Sequence, residues 1–352
     1  MDEESHARLS SRPPPFGSYA QPVDTVRWGI IGVGDVTEAK SGPGFQHAQR
    51  SELVAVMRRD GAKAADYARR HDVPRWYDDA EALLGDPDVD AVYIATPPDS
   101  HRDYAVRALE AGKPVYVEKP MARTTRECEE MLAAAERARL PLFVAYYRRS
   151  MPRFATVKEL LDGGAIGQVH AFRVENFRPT PAVGEQVPWR LRPGISGGGH
   201  FVDLASHTLD LLDHLLGPVT QVHGHALNIS GISQAEDTVS GTFQVGSAVV
   251  GTGLWCYAAD EDRDLVEIIG TEGSLRFSSF GQEPLRLRTG AGVREIEAPY
   301  PATVQQPLIQ AVVDELTGVG ASPSTGASAI RTARVVDALL AEYRTEYGLT
   351  FR

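Results

Sequence analysis

The chain has 352 residues, long enough for about two domains at roughly 150 residues each. Hydrophobic residues at 42% and charged residues at 24% match an ordinary folded protein and exclude a wholly disordered or membrane-embedded chain. A formal charge of −11 lacks the basic footprint that nucleic-acid phosphates demand, so an anionic ligand would need a local basic pocket.

The first 25 residues hold three consecutive prolines, several charges and no apolar run. A secretory signal needs a continuous apolar stretch of roughly 7–15 residues, so this segment is expected to be a flexible leader. No later window approaches the ~18 apolar residues of a membrane span. The two cysteines, Cys128 and Cys256, cannot build a disulfide framework and suit a reducing compartment. A cytoplasmic protein is the expectation.

From Val26 to Tyr147, short apolar runs alternate with helical patterns. The runs are VRWGII (26–31), ELVAVM (52–57), AVYIAT (91–96), PVYVE (114–118) and LFVAY (142–146). Helical spacing fills residues 61–71, 101–112 and 125–140, with Gly112 and Gly85-Asp86-Pro87 as stops. Parallel strands are covered on both faces and read as unbroken apolar runs. The pattern predicts an α/β domain with an open parallel sheet over residues 26–147.

After Arg148 the rhythm changes. A helix is expected over about 199–216, then strands at 219–229, 237–245, 247–258, 264–270 and 273–279. Their close spacing, with turns such as Gly270-Thr271-Glu272-Gly273, predicts a mostly antiparallel sheet. Helices return near 304–318 and at 327–346. Residues 148–352 are therefore expected to form a second, α+β domain, whose tail helices can pack back on the first.

Gly32-Val33-Gly34-Asp35-Val36 follows the first run directly. Glycines there permit a tight turn and let backbone N–H groups approach a pyrophosphate at a helix N-terminus. The third fingerprint position is Thr37, and Gly42-Pro43-Gly44 is expected to kink or divide the first helix. At the end of the second run stands Met57-Arg58-Arg59-Asp60. An NAD site places an acid near here for the ribose 2′-hydroxyl. Paired guanidinium groups instead suit a 2′-phosphate, favouring NADP(H) over NAD(H); the alternative is a solvated basic turn.

Glu118-Lys119-Pro120 lies just past the PVYVE run. A lysine at a strand's carboxyl end can bind a substrate oxygen and move a proton, with Glu118 holding the lysine or a cofactor hydroxyl. An ordinary surface ion pair is the alternative. Further on, Gly197-Gly198-Gly199 opens the helix bearing Asp203 and His207, four apart and on one face. That face is either the wet side of an amphipathic helix, continued by Asp210 and His214, or a carboxylate orienting a catalytic imidazole. His200, His207, His214, His223 and His225 match no standard zinc spacing, so no metal is expected.

In order along the chain, these segments resemble the Gfo/Idh/MocA family of sugar and cyclitol oxidoreductases. The carriers are Gly32-Val33-Gly34, Ala95-Thr96-Pro97-Pro98 with His101, Glu118-Lys119-Pro120, Tyr146-Tyr147-Arg148-Arg149, Trp189-Arg190, and the triple-glycine helix with Asp203 and His207. The resemblance implies an N-terminal Rossmann domain and a C-terminal domain whose large open sheet supports a homodimer or homotetramer. It implies hydride transfer at a sugar or cyclitol carbon, with Lys119 binding the reacting oxygen and the cofactor ribose and His207, beside Asp203, exchanging the proton. Gly32, Gly34, Asp35, Val36, Arg58, Arg59, Thr96, Pro97, His101, Glu118, Trp189 and Arg190 would contact the cofactor. Tyr147 and Arg148 would join Lys119, Asp203 and His207 at the substrate. Tyr147 replaces an asparagine common in the family, and Arg58 replaces the common acid. Some relatives on this scaffold are non-catalytic dinucleotide sensors altered at the lysine; this chain keeps Lys119, Asp203 and His207.

Overall fold

A computed structural model describes residues 23–351 apart from 183 and 185; the expected leader lies outside the described residues except for 23–25. The first sheet contains β1 (Val26–Ile31), β2 (Ser51–Met57), β3 (Arg75–Tyr77), β4 (Ala91–Ile94), β5 (Val115–Val117) and β6 (Leu142–Val144). All pair in parallel in the order β3-β2-β1-β4-β5-β6. Between the strands run α1 (Gly42–His47), α2 (Gly61–Arg70), α3 (Ala80–Leu84), α4 (His101–Glu110) and α5 (Thr125–Ala138). Alternate residues of one strand feed opposite cores. Tyr93 packs with Trp28, Phe45 and Tyr67 on one face, while Val92 and Ile94 pack with Leu83, Ala105 and Met131 on the other. Burial on both faces explains the unbroken apolar runs in the sequence. The result is a Rossmann sheet.

The second sheet has eight strands. In chain order the elements are α6 (Pro152–Asp162), β7 (Val169–Pro179), α7 (Pro193–Ser196), α8 (Ser206–Leu216), β8 (Val219–Leu227), β9 (Thr238–Val245) and β10 (Val249–Ala259). They continue with β11 (Arg263–Gly270), β12 (Gly273–Phe277), β13 (Leu285–Thr289), β14 (Gly292–Ile296), α9 (Gln306–Leu316) and α10 (Gly326–Glu346). The strand order is β14-β13-β12-β11-β7-β10-β9-β8, antiparallel except where β7 meets β10. One face packs Phe172, Val174, Phe243 and Trp255 against the helices; the other leaves Leu227, Val250 and Leu254 exposed. The C-terminal part is thus a mostly antiparallel, open-faced sheet.

Two features differ from expectation. Strand β7, at the sheet's centre, has no apolar run; its alternating Phe172-Arg173-Val174-Glu175-Asn176 is the period-two pattern of a half-covered strand. Helix α8 has no wet side, because it is packed by α6, α10 and the turn Tyr147–Ser150. Asp210 is fully buried, clasped by the Arg149 guanidinium through Nε and Nη2 at 2.8 Å each. Asp213 receives Arg149 and also Arg331 from α10. These charges fasten the helix in place. Helix α10 in turn lies against both α5 and β8, and Thr325 at its start pairs with Phe143 of β6.

Candidate active site

In an open α/β sheet, ligands collect outside the carboxyl ends of the strands where the order reverses. Here β1 and β4 straddle that point. A cleft of about 610 Å3, inside the ~300–1,000 Å3 range of small-molecule sites, opens there. Strand ends deliver Gly32, Arg58, Thr96, Pro97, Glu118 and Lys119 to it, and the other half of the chain closes it with Tyr147, Trp189, Arg190, Asp203, His207 and Phe280.

Gly32 has φ +96°, and a Cβ there would lie 2.6 Å from Thr96 Cγ2 and 2.9 Å from its amide, so only glycine fits. The missing third glycine has a local explanation. Buried Thr37 accepts from Gly34 N–H at 2.9 Å and donates to Gly34 O at 2.8 Å, so its hydroxyl closes the turn that glycine packing usually closes. A π-helical turn, Thr37–Ser41, runs directly into α1, so Gly42-Pro43-Gly44 marks a change from π to α winding and does not divide the helix. At the end of β2, Arg58 donates to Val33 O at 3.0 Å and so lies over the glycine turn, with Arg59 beside it on the cleft. Asp60 lines the cleft too, but its carboxylate caps α2 by accepting from Lys63 N–H.

Glu118 is buried and accepts from Tyr93 Oη at 2.6 Å, Gln305 Nε2 at 2.8 Å and the Lys119 backbone N–H at 3.0 Å. It therefore fixes the lysine's backbone, and the ammonium turns elsewhere. Lys119 Nζ donates to Asp203 Oδ1 at 2.5 Å and Asp203 O at 2.8 Å. Arg190, stacked on Trp189, approaches the second carboxylate oxygen at 3.4 Å. Burial pushes the Asp203 carboxyl up, but Lys119 and Arg190 outweigh it and hold the group below its usual range. His207 is buried one helical turn on, between the Tyr147 and Phe280 rings. Burial first, then the Arg148, Lys119 and Lys40 charges, hold its imidazole well below the usual range. It is neutral at neutral pH.

Three expectations change. Asp203 does not orient His207: its carboxylate is taken by Lys119 and Arg190, and His207 Nδ1 is buried without a partner. His101 does not line the cleft; fully buried, its ring nitrogens meet Thr96 O at 2.8 Å and Pro120 O at 3.0 Å, tying the two cleft loops together from behind. Arg148 also stands behind, its Nε on Ser279 O at 2.7 Å and its guanidinium over the Tyr147 and Phe280 rings. Lys40, Tyr104, Phe280 and Gln305 reach the cleft without any motif to announce them. Outside the cleft lining, Asn176 Oδ1, His200 Nδ1 and Tyr257 Oη are buried without partners. No group of three or more metal-ligating side chains gathers among the described residues.

A model of an oxidoreductase family with an NAD-binding Rossmann fold matches residues 26–146, and one of the GFO/IDH/MocA C-terminal domain matches 154–276. The chain belongs to the Gfo/Idh/MocA family. Among curated relatives, oxidoreductase P35 of Formosa agariphila is 38% identical over 89% of this chain and 97% of its own. The 1,5-anhydro-D-fructose reductase of Ensifer adhaerens is 30% identical over 85% of this chain and 91% of its own. Levoglucosan dehydrogenase, solved with NADH and levoglucosan, shares the fold at TM-score 0.82 with 24% identity, covering 92% of this chain and 98% of that one. This Gfo/Idh/MocA member is thus an NAD(P)-dependent oxidoreductase, and the cleft joins its two family segments: Lys119 comes from the first, Asp203 and His207 from the second. No described helix is long and apolar enough to cross a membrane.

Proposed function

We propose that the protein is an NADP(H)-dependent oxidoreductase that moves hydride between the nicotinamide and a carbinol or carbonyl carbon of a sugar, keto-sugar or cyclitol. The observation that carries this is the convergence of Lys119, Asp203 and His207 where the cofactor cleft meets the second sheet. The groove suits a dinucleotide: a Cβ on Gly34 would meet nothing within 4 Å, leaving the turn's surface open beside Asp35 and Val36. Arg58 and Arg59 stand where a 2′-phosphate would need forked donors, and Asp60 is occupied at its cap. Thr96, Pro97, Trp189 and Arg190 would border the nicotinamide.

The cofactor supplies the hydride chemistry. In the oxidative direction, the neutral His207 imidazole takes the proton of the substrate hydroxyl. Lys119 Nζ stabilises the developing alkoxide, aimed by Asp203 on one side and by Glu118 through its backbone on the other. Tyr147 and Phe280 pack their rings against the imidazole and shield it from water. The substrate class draws on the named activities of the Ensifer and levoglucosan relatives. Residues 26–147 would serve the cofactor and 148–352 the substrate and a homodimer or homotetramer, in the cytoplasm. The test is NADP and NAD turnover on a sugar and cyclitol panel. Arg58→Asp should cut the NADP-over-NAD preference by about 10- to 100-fold, the worth of a charge-assisted hydrogen bond; an unchanged preference removes Arg58 from cofactor selection.

A further inference from the structure

Glu236 belongs to no cleft and no motif, yet it is almost wholly shielded from solvent, in the loop joining β8 to β9. The loop is pinned: Asp237 N–H bonds Leu227 O, Asp237 O takes Tyr257 N–H at 2.7 Å, and the Asp237 carboxylate takes the Ile229 and Ser230 amides. From this fixed base Glu236 Oε1 accepts the Gly199 N–H at 2.7 Å. Gly199 O in turn accepts Asp203 N–H at 3.2 Å, and Asp203 holds Lys119 Nζ. The glycines let the helix start and this loop approach closely, with Val202 Cγ2 the nearest atom to a Cβ on Gly198, at 2.4 Å. A Cβ on Gly198 would lie 2.8 Å from Glu236 Oε1, and one on Gly199 would lie 2.4 Å from Glu236 O. Across the same loop, Arg344 of α10 donates to Gly197 O at 2.8 Å.

We propose that Glu236 is a positioning residue: its carboxylate caps the turn that carries Asp203 and so sets where the Lys119 ammonium stands. No cation lies within ion-pair distance of Glu236 among the described residues. Burial pushes its carboxyl up to about 7, with the Gly199 amide and more distant Arg344 only partly offsetting. A buried acid without an ion-pair partner destabilises a fold, so mere space-filling would be better served by a neutral side chain. The acid is aimed instead at the buried Gly199 amide at the start of a helical turn, where a carboxylate is held best.

The proposal rests on the oxidoreductase function above only for its kinetic readout. Glu236→Ala and Glu236→Gln are compared in the full-length protein for sugar turnover, NADPH affinity, and the rate at which an amine-reactive acylating reagent labels Lys119. Glu236→Ala should lower kcat by about 10- to 100-fold, the cost of a displacement near 1 Å at a reacting group. NADPH affinity should hold, and Lys119, loosened from Asp203, should label faster. Glu236→Gln keeps an oxygen for Gly199 N–H and should recover most of the turnover and the slow labelling. Unchanged kcat and labelling in Glu236→Ala overturn the proposal, as does a glutamine variant no better than alanine. So does a parallel loss of NADPH affinity, which marks general damage. If Glu236→Ala does not fold, Glu236→Asp, with its carboxylate drawn back by one methylene, takes its place with the same outcomes. Failure of the wild type to turn over any sugar defeats the function alone; the labelling rates still decide Glu236.

Discussion

Lys119 spends its ammonium on a single residue, reaching both the backbone oxygen and the carboxylate of Asp203. His207, by contrast, has no orienting carboxylate, and its Nδ1 is unpartnered. Burial, and then the Arg148, Lys119 and Lys40 charges, hold the imidazole well below the usual range. Because its pKa is lowered, falling pH should leave kcat/KM for oxidation undiminished through the ordinary histidine midpoint near 6.5. A pH–rate profile checks this, and an acid limb centred near 6.5 would show an unperturbed imidazole. At this scale the sequence was legible where residue type and strand-end position coincide, as at Lys119 and Gly32. It was not legible where direction decides. His101 and Arg148 carry the right chemistry but point behind the cleft, and Phe280 and Gln305 arrive from loops far along the chain.

Helix α8 shows how an element's environment overrides its pattern. A polar stripe with amphipathic spacing runs from Asp203, in the turn before it, through His207, Asp210 and His214, but Asp203 and His207 face the cleft, while packing buries Asp210 and Asp213 in an ion network with Arg149 and Arg331. Arg149→Met would leave Asp210 buried without its ion-pair partner, and should destabilise the protein by about 3–5 kcal/mol in denaturant unfolding. A loss below about 1 kcal/mol, the worth of a surface pair, would mean that the network is not an anchor. The same helix carries His214, lowered to about 4 by burial and then by Arg149 and Lys158. Its folded pKa lies below the unfolded value, so the unfolded chain binds the proton first and stability falls as pH drops from about 6.5 toward 4. His214→Gln should flatten that fall in thermal melts; an equally steep fall would clear His214. Strands β1 and β2 were readable because double coverage leaves an apolar run, whereas β3 has three residues at a sheet edge and no such run. Strand β7, which alternates apolar and polar residues without an apolar run, and the π turn at Phe201–Ala205 were not read from the sequence.

At the scale of the whole molecule, two sheets share one set of tail helices, with α9 against α1 and α10 between α5 and β8. Alternation of strand and helix pointed to the parallel sheet, but the joining of the halves depends on residues remote in sequence, such as Thr325 on Phe143. The open face of the second sheet, with Leu227, Val250 and Leu254 exposed across β8 and β10, is the natural seat of the proposed oligomer. Val250→Glu with Leu254→Glu should give monomers by light scattering without changing the melting temperature of the monomer fold. An oligomer that survives both charges would have to use another face. The −11 net charge says little about the ligand, since Arg58 and Arg59 stand side by side on the cleft at the end of β2.

The most direct measurement pairs NADPH binding with sugar turnover in wild type and Lys119→Ala. Wild type should turn over at least one sugar or cyclitol with NADP(H). Lys119→Ala should retain measurable NADPH binding while kcat falls by about 100- to 1,000-fold, the usual cost of removing a group that stabilises a developing oxyanion. Turnover by Lys119→Ala at the wild-type rate, or wild-type binding of NADPH with no turnover on any sugar, would contradict a hydride-transfer site built on Lys119.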